Sequence, residues 1–124
     1  MFDNYPKKFF RECEMIIENG KLTLKAGQQW TSPIFNAQRG SIALLEINST
    51  QRVYWRLISL STYNSLTLNQ SKYLDFPFGS DRSQVYEPLL IGADLELLLV
   101  LRLSVFNESA EIMINLELIG PPKL

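Results

Sequence analysis

Leu95, Leu97, Leu99, Leu101, Leu103 and Val105 are apolar at every second position, and Ile112, Ile114, Leu116 and Leu118 repeat the pattern. A period of two puts those side chains on one face of a strand. A helix would need apolar residues at i, i+3, i+4 and i+7. The intervening Phe106-Asn107-Glu108-Ser109-Ala110 stretch is polar and reads as a turn. The expectation is a long antiparallel hairpin whose leucine face needs a second layer to cover it. The two apolar sets share a face only if odd-numbered residues oppose even-numbered ones, because a one-residue slip turns a whole set to solvent. A two-residue loop at Asn107-Glu108 meets that condition. It places Leu103 opposite Ile112 and Leu101 opposite Ile114, with Arg102, Glu111 and Glu117 on the outer face.

The rest of the chain also reads as short strands. Met15-Ile16-Ile17 and Lys21-Leu22-Thr23-Leu24-Lys25 flank Asn19-Gly20, a dipeptide suited to a tight hairpin turn. Ala26-Gly27 turns the chain before a short strand at Gln28–Thr31, which Pro33 ends or confines to an edge. Ser41–Ile47 and Val53–Ser61 are separate strand candidates divided by Asn48-Ser49-Thr50. In the second, Val53, Trp55, Leu57 and Ser59 face one way while Tyr54, Arg56, Ile58 and Leu60 face the other. Both faces are mostly apolar, as in a central strand covered on both sides or one exposed at an interface. Arg56 there is either a paired interior charge or a contact residue. Residues 61–87 are polar and turn-rich, with short strands at Leu66-Leu68 and Lys72-Tyr73-Leu74 and a loop at Phe76–Ser83. The predicted fold is all-β: an antiparallel, jelly-roll-like β-sandwich over residues 14–120. An extended N-terminal arm (1–13) precedes it, and a tail (121–124) follows in which Pro-Pro cannot continue a ladder.

Composition narrows the chemistry. The chain has 124 residues, enough for one domain with its own core. It has no histidine, which removes Ser-His-Asp and Cys-His catalysis, histidine metal sites and the commonest general base. Twelve cations against thirteen carboxylates give no basic footprint for nucleic acid. A single cysteine, Cys13, allows no internal disulfide. The most apolar run, Leu95–Val105, contains Glu96 and Arg102 and is too short for a membrane helix. No apolar segment follows the basic start, so synthesis without a signal peptide is expected. The sequons at Asn48, Asn69 and Asn107 are then never glycosylated. Asp75, Asp81, Glu87 and Asp94 match no calcium-loop spacing, and nothing marks Glu46, Glu96, Glu111 or Glu117 as a catalytic pair. Neither an enzyme nor a cofactor or metal site is expected.

Two groups of residues remain as candidates for binding. In the arm, Phe2, Tyr5, Phe9 and Phe10 are interleaved with Lys7, Lys8 and Arg11. Rings at that density must bury somewhere, in their own domain or on a neighbouring subunit. The second group is Trp30, Tyr54, Trp55, Arg56, Tyr63, Tyr73, Phe76 and Phe78, a partner surface or a stacking platform for sugars. The simpler alternative is that Trp30 and Trp55 are core or interface anchors.

Residues Leu22-Thr23-Leu24-Lys25-Ala26-Gly27-Gln28-Gln29-Trp30-Thr31-Ser32-Pro33-Ile34-Phe35, followed by the Gly40 turn and alternating strands, carry a resemblance. The stretch is similar to small β-sandwich structural proteins of tailed bacteriophages, which include capsid decoration (cement) proteins and tail or baseplate modules. The resemblance implies a non-enzymatic virion protein that forms trimers or larger rings. It would bind copies of itself and a larger structural protein, such as a capsid protein, through terminal arms. Two or three buried rings contribute several kcal/mol at ~25 cal/mol per Å² of apolar area. Repetition over many copies would stiffen a shell by avidity. The alternatives are a tail, baseplate or host-recognition subunit and a carbohydrate-binding module.

Overall fold

A computed structural model describes residues 14–66 and 79–121. These form β1 (Glu14–Lys25), β2 (Gln29–Thr31), β3 (Phe35–Ala37), β4 (Ile42–Ser59), a short helix α1 (Leu60–Leu66), β5 (Gly79–Leu90), β6 (Leu95–Leu103) and β7 (Ser109–Ile119). All strand pairings are antiparallel, and one continuous sheet contains them all. The all-β, sandwich-like fold expected from the alternation is the fold observed.

β4 organises the molecule. Its first half pairs with β7 on one side and with the end of β5 on the other. Its second half keeps β5 but exchanges β7 for β6. The change falls at an irregularity where Ser49–Arg52 stand against the single residue Ser83 of β5. Polar side chains secure this bend: the Thr50 hydroxyl accepts from the Glu111 amide at 2.9 Å, and the Ser49 hydroxyl from the Gln51 amide at 3.2 Å. Extra residues in one strand bend and twist it. The sheet therefore divides into two leaves, one ordered β1-β7-β4-β5 and the other with β2 and β3 end to end along β6, then β4 and β5.

The leaves close on one core. Leu97, Leu99, Leu101 and Leu103 of β6 meet Ile112, Ile114, Leu116 and Leu118 of β7 in a single buried cluster. Ala43, Leu45 and Ile47 from the first half of β4 join them, as do Val53, Trp55 and Leu57 from the second. A smaller cluster lies on the outside of the second leaf, where Ile58, Leu98 and Val100 pack under Leu60 and Tyr63 of α1.

Several expectations are corrected. β6 and β7 form no hairpin, and neither Leu103–Ile112 nor Leu101–Ile114 is a ladder pair. Leu103 pairs with Val53, while Ile112 pairs with Leu22 and Ser49. The two leucine-rich strands lie in opposite leaves, joined by an arch over residues 104–108, and each supplies the second layer the other needs. Asn19-Gly20 is no turn; it lies within β1, paired with Asn115 and Ile114 of β7. The one irregularity of β1 is a bulge at Ile17. The candidates Ser41–Ile47 and Val53–Ser61 are not separate strands: β4 runs from Ile42 to Ser59, and Leu60 and Ser61 begin α1. Leu66 is helical, and Gly79–Ser83 is strand where a loop was expected. Pro88 is tolerated because β5 pairs on one side only among the described residues. The expected strand at Lys72-Tyr73-Leu74 lies outside the described residues.

Candidate interaction face

The register of the first leaf determines what its outer surface presents. Core residues take one set of alternate positions, so the other set points away from the core. Reading across β1, β7, β4 and β5, the end row is Glu14, Ile119, Ile42 and Leu90. The next row is Ile16, Glu117, Leu44 and Pro88, and the third is Asn19, Asn115, Glu46 and Tyr86. The fourth is Lys21, Met113, Asn48 and Gln84.

The face thus divides along its length. Its end by Glu14 is apolar, with Leu90 66%, Ile16 63% and Tyr86 84% exposed, Ile42 also exposed, and Leu44 and Ile119 half-buried. Four strands at about 4.8 Å spacing make this end about 14 Å wide; its apolar residues stand in the first two rows and reach the third only at Tyr86. The carboxylate residues Glu14, Glu117 and Glu46 stand in its rows with the apolar residues; Glu117 accepts from the side-chain Nδ2 of Asn115 at 3.2 Å. The opposite end is polar. There Lys21, Thr23, Asn48, Glu111 and Met113 line a shallow hollow of about 290 Å³.

Of the described candidates from the sequence, Tyr54, Arg56 and Tyr63 lie on the outer side of the second leaf and Trp30 and Trp55 on its core side. Trp55 is 2% exposed and points into the core, and Trp30 packs half-buried against the same core. Tyr54 and Arg56 take the other face of β4. Arg56 is 6% exposed and donates to the Trp55 carbonyl at 2.6 Å. The Arg102 guanidinium lies 5.7 Å from the centre of the Tyr54 ring. Tyr63 packs on the α1 cluster, and its hydroxyl accepts from Gln29 Nε2 at 3.4 Å. Trp30, Tyr54, Trp55 and Tyr63 are therefore spread over both faces of a sheet and form no common stacking surface. Phe2, Tyr5, Lys7, Lys8, Phe9, Phe10, Arg11, Tyr73, Phe76 and Phe78 lie outside the described residues.

Among the described residues, no three Asp, Glu, Cys or His side chains are grouped to hold a metal ion. Asp94 serves a turn, accepting from the Arg39 amide at 2.8 Å. No helix among them is long and apolar enough to cross a membrane. The arch between β6 and β7 places Phe106, 93% exposed, at its tip.

Alternation alone does not find the apolar end of the face, because it takes four strands in register to assemble it. One trace is visible in the sequence: Ile42 and Leu44 fall out of phase with Ala43, Leu45 and Ile47. No protein-family model matches the chain, and no curated protein matches it.

Proposed function

We propose that the chain is a non-enzymatic structural subunit that works by holding protein neighbours. Its setting is a virion, where it serves as a capsid decoration or cement protein. The observation that carries the first part is the apolar end of the first leaf's outer face. Exposed apolar side chains clustered on a well-packed sheet and bordered by polar residues are the signature of a protein-binding surface. Ile16, Ile42, Tyr86 and Leu90 stand on paired strands, so little conformational entropy is lost when a partner covers them. The virion setting rests on the resemblance of residues 22–35 to phage structural proteins.

Adding the full chain back to particles stripped of it tests the proposal. Binding should saturate at a copy number fixed by shell symmetry and raise the temperature at which the shell opens. A chain absent from purified particles would refute it. So would a monomer whose measurable ligand is a glycan.

A further inference from the structure

We infer that the apolar end of the first leaf's outer face is the seat for residues 2–10 of a second copy of this chain. The inference rests on the adhesive function proposed above and names the first partner of that surface.

Position is the first ground. β1 begins at Glu14, in the same row as Ile119, Ile42 and Leu90. The segment bearing Phe2, Tyr5, Phe9 and Phe10 therefore joins the sheet at the apolar end of the face and not at the polar end. Thirteen residues precede β1 and span up to about 45 Å if extended, enough to reach across a neighbouring sheet.

Chemistry is the second. The segment offers four rings and the cations Lys7 and Lys8, against the one carboxylate Asp3. The patch offers Ile16, Ile42, Leu44, Leu90 and Tyr86 for the rings, with Glu46 beside them for the cations. No lysine or arginine stands in its first three rows; Lys21 is in the fourth.

The third ground favours a second copy over the chain's own arm. To cover its own patch the chain would have to reverse direction just before β1. Arg11-Glu12-Cys13 contains no Gly, Pro, Asn or Asp, the residues that make tight reversals. Between two copies, area favours a reciprocal exchange over a single contact. A patch this size takes two or three rings, each burying about 150–250 Å². One such contact falls below the roughly 1,200 Å² of a specific interface, whereas reciprocal exchange between two copies approaches it.

The test uses two differently tagged full-length chains, both Cys13→Ser. One carries Phe9→Cys and the other Leu90→Cys, and they are mixed in a glutathione redox buffer. The expected result is a disulfide joining the two tags. In sedimentation, Leu90→Lys in the otherwise unaltered chain should weaken self-association at least tenfold while its far-UV spectrum and melting temperature stay unchanged. The inference is overturned by self-association indifferent to Leu90→Lys, by absence of the mixed disulfide, or by a chain carrying both cysteines that closes only on itself. A chain that stays monomeric yet binds shells through Leu90 overturns the inference and leaves the proposed function standing. A chain that exchanges arms but binds no larger structural protein does the reverse.

Discussion

Ser32 separates β2 from β3 and is 5% exposed. Pro33 follows it and has no amide to give, so the ladder along β6 is interrupted there. The Ser32 side chain closes the gap. Its amide donates to the Leu99 carbonyl at 2.9 Å, its hydroxyl accepts from the Leu99 amide at 2.9 Å, and the same hydroxyl donates to the Pro33 carbonyl at 2.9 Å. Leu99 is wholly buried in the core, out of reach of water. Ser32→Ala should therefore strand the Leu99 amide, and an unsatisfied buried donor costs about 1–3 kcal/mol. At about 4 °C per kcal/mol for a domain of this size, the melting temperature should fall by about 4–12 °C. Ser32→Thr keeps the hydroxyl and should recover much of the loss. Ser61→Ala, at an exposed position, should change stability by less than about 0.5 kcal/mol. Thermal melts supply the energies, and hydrogen exchange at the Leu99 amide supplies the mechanism. A Ser32→Ala protein that melts with the parent and protects that amide equally well would refute the account of this junction.

Gly27 holds φ at +74°, and a Cβ there would lie 3.0 Å from Val105 Cγ1, so Gly27→Ala should destabilise by about 1–2 kcal/mol in a denaturant titration. Gly92→Ala, with nothing within 4 Å of the added carbon and no positive φ, should be close to neutral. The arch between β6 and β7 predicts NMR cross-strand contacts from Ile112 to Leu22 and Ser49, and from Leu103 to Val53, with no backbone contact between Leu103 and Ile112. A backbone contact between those last two would restore the hairpin.

Alternation reveals which face of a strand is buried, as it does for Leu97–Leu103 of β6 and Ile112–Leu118 of β7. It is silent about which strand lies beside which. A hairpin and an arch bring the same leucines and isoleucines inward, so the period-two pattern of residues 95–118 satisfies both. The local signal at Asn19-Gly20 failed for a related reason. These residues permit a turn without requiring one, and pairing along the length of β7 outweighs that preference. α1 spans seven residues, too few to display a helical period. Among the described aromatic candidates, neighbours in sequence along a strand point to opposite faces: Trp55 enters the core that Tyr54 and Arg56 face away from.

β4 ties the interaction face to the fold. The strand is apolar on both faces in both halves, which the second leaf accommodates internally: Ile58 lies with Leu98 and Val100 beneath Leu60 and Tyr63 of α1. The first leaf handles the same pattern differently. Ile42 and Leu44 point outward beside Ile119 and Leu90, and no helix among the described residues covers them. Both outermost strands of that leaf contribute apolar groups to the same end, Ile16 from β1 and Leu90 from β5. An apolar outer end flanked by two such edges promotes association in a free-standing molecule. In an assembly the same end does what α1 does for Ile58, with the cover supplied by another chain. On this account Ile42→Glu and Ile58→Glu should separate cleanly. The first, whose side chain is 37% exposed, should lower the melting temperature of the isolated chain far less than the second. The second buries a carboxylate among Leu98 and Val100 and should destabilise by several kcal/mol. Equal destabilisation by both would mean that the first leaf's outer end is already covered within one chain, and the face would lose its claim to a partner.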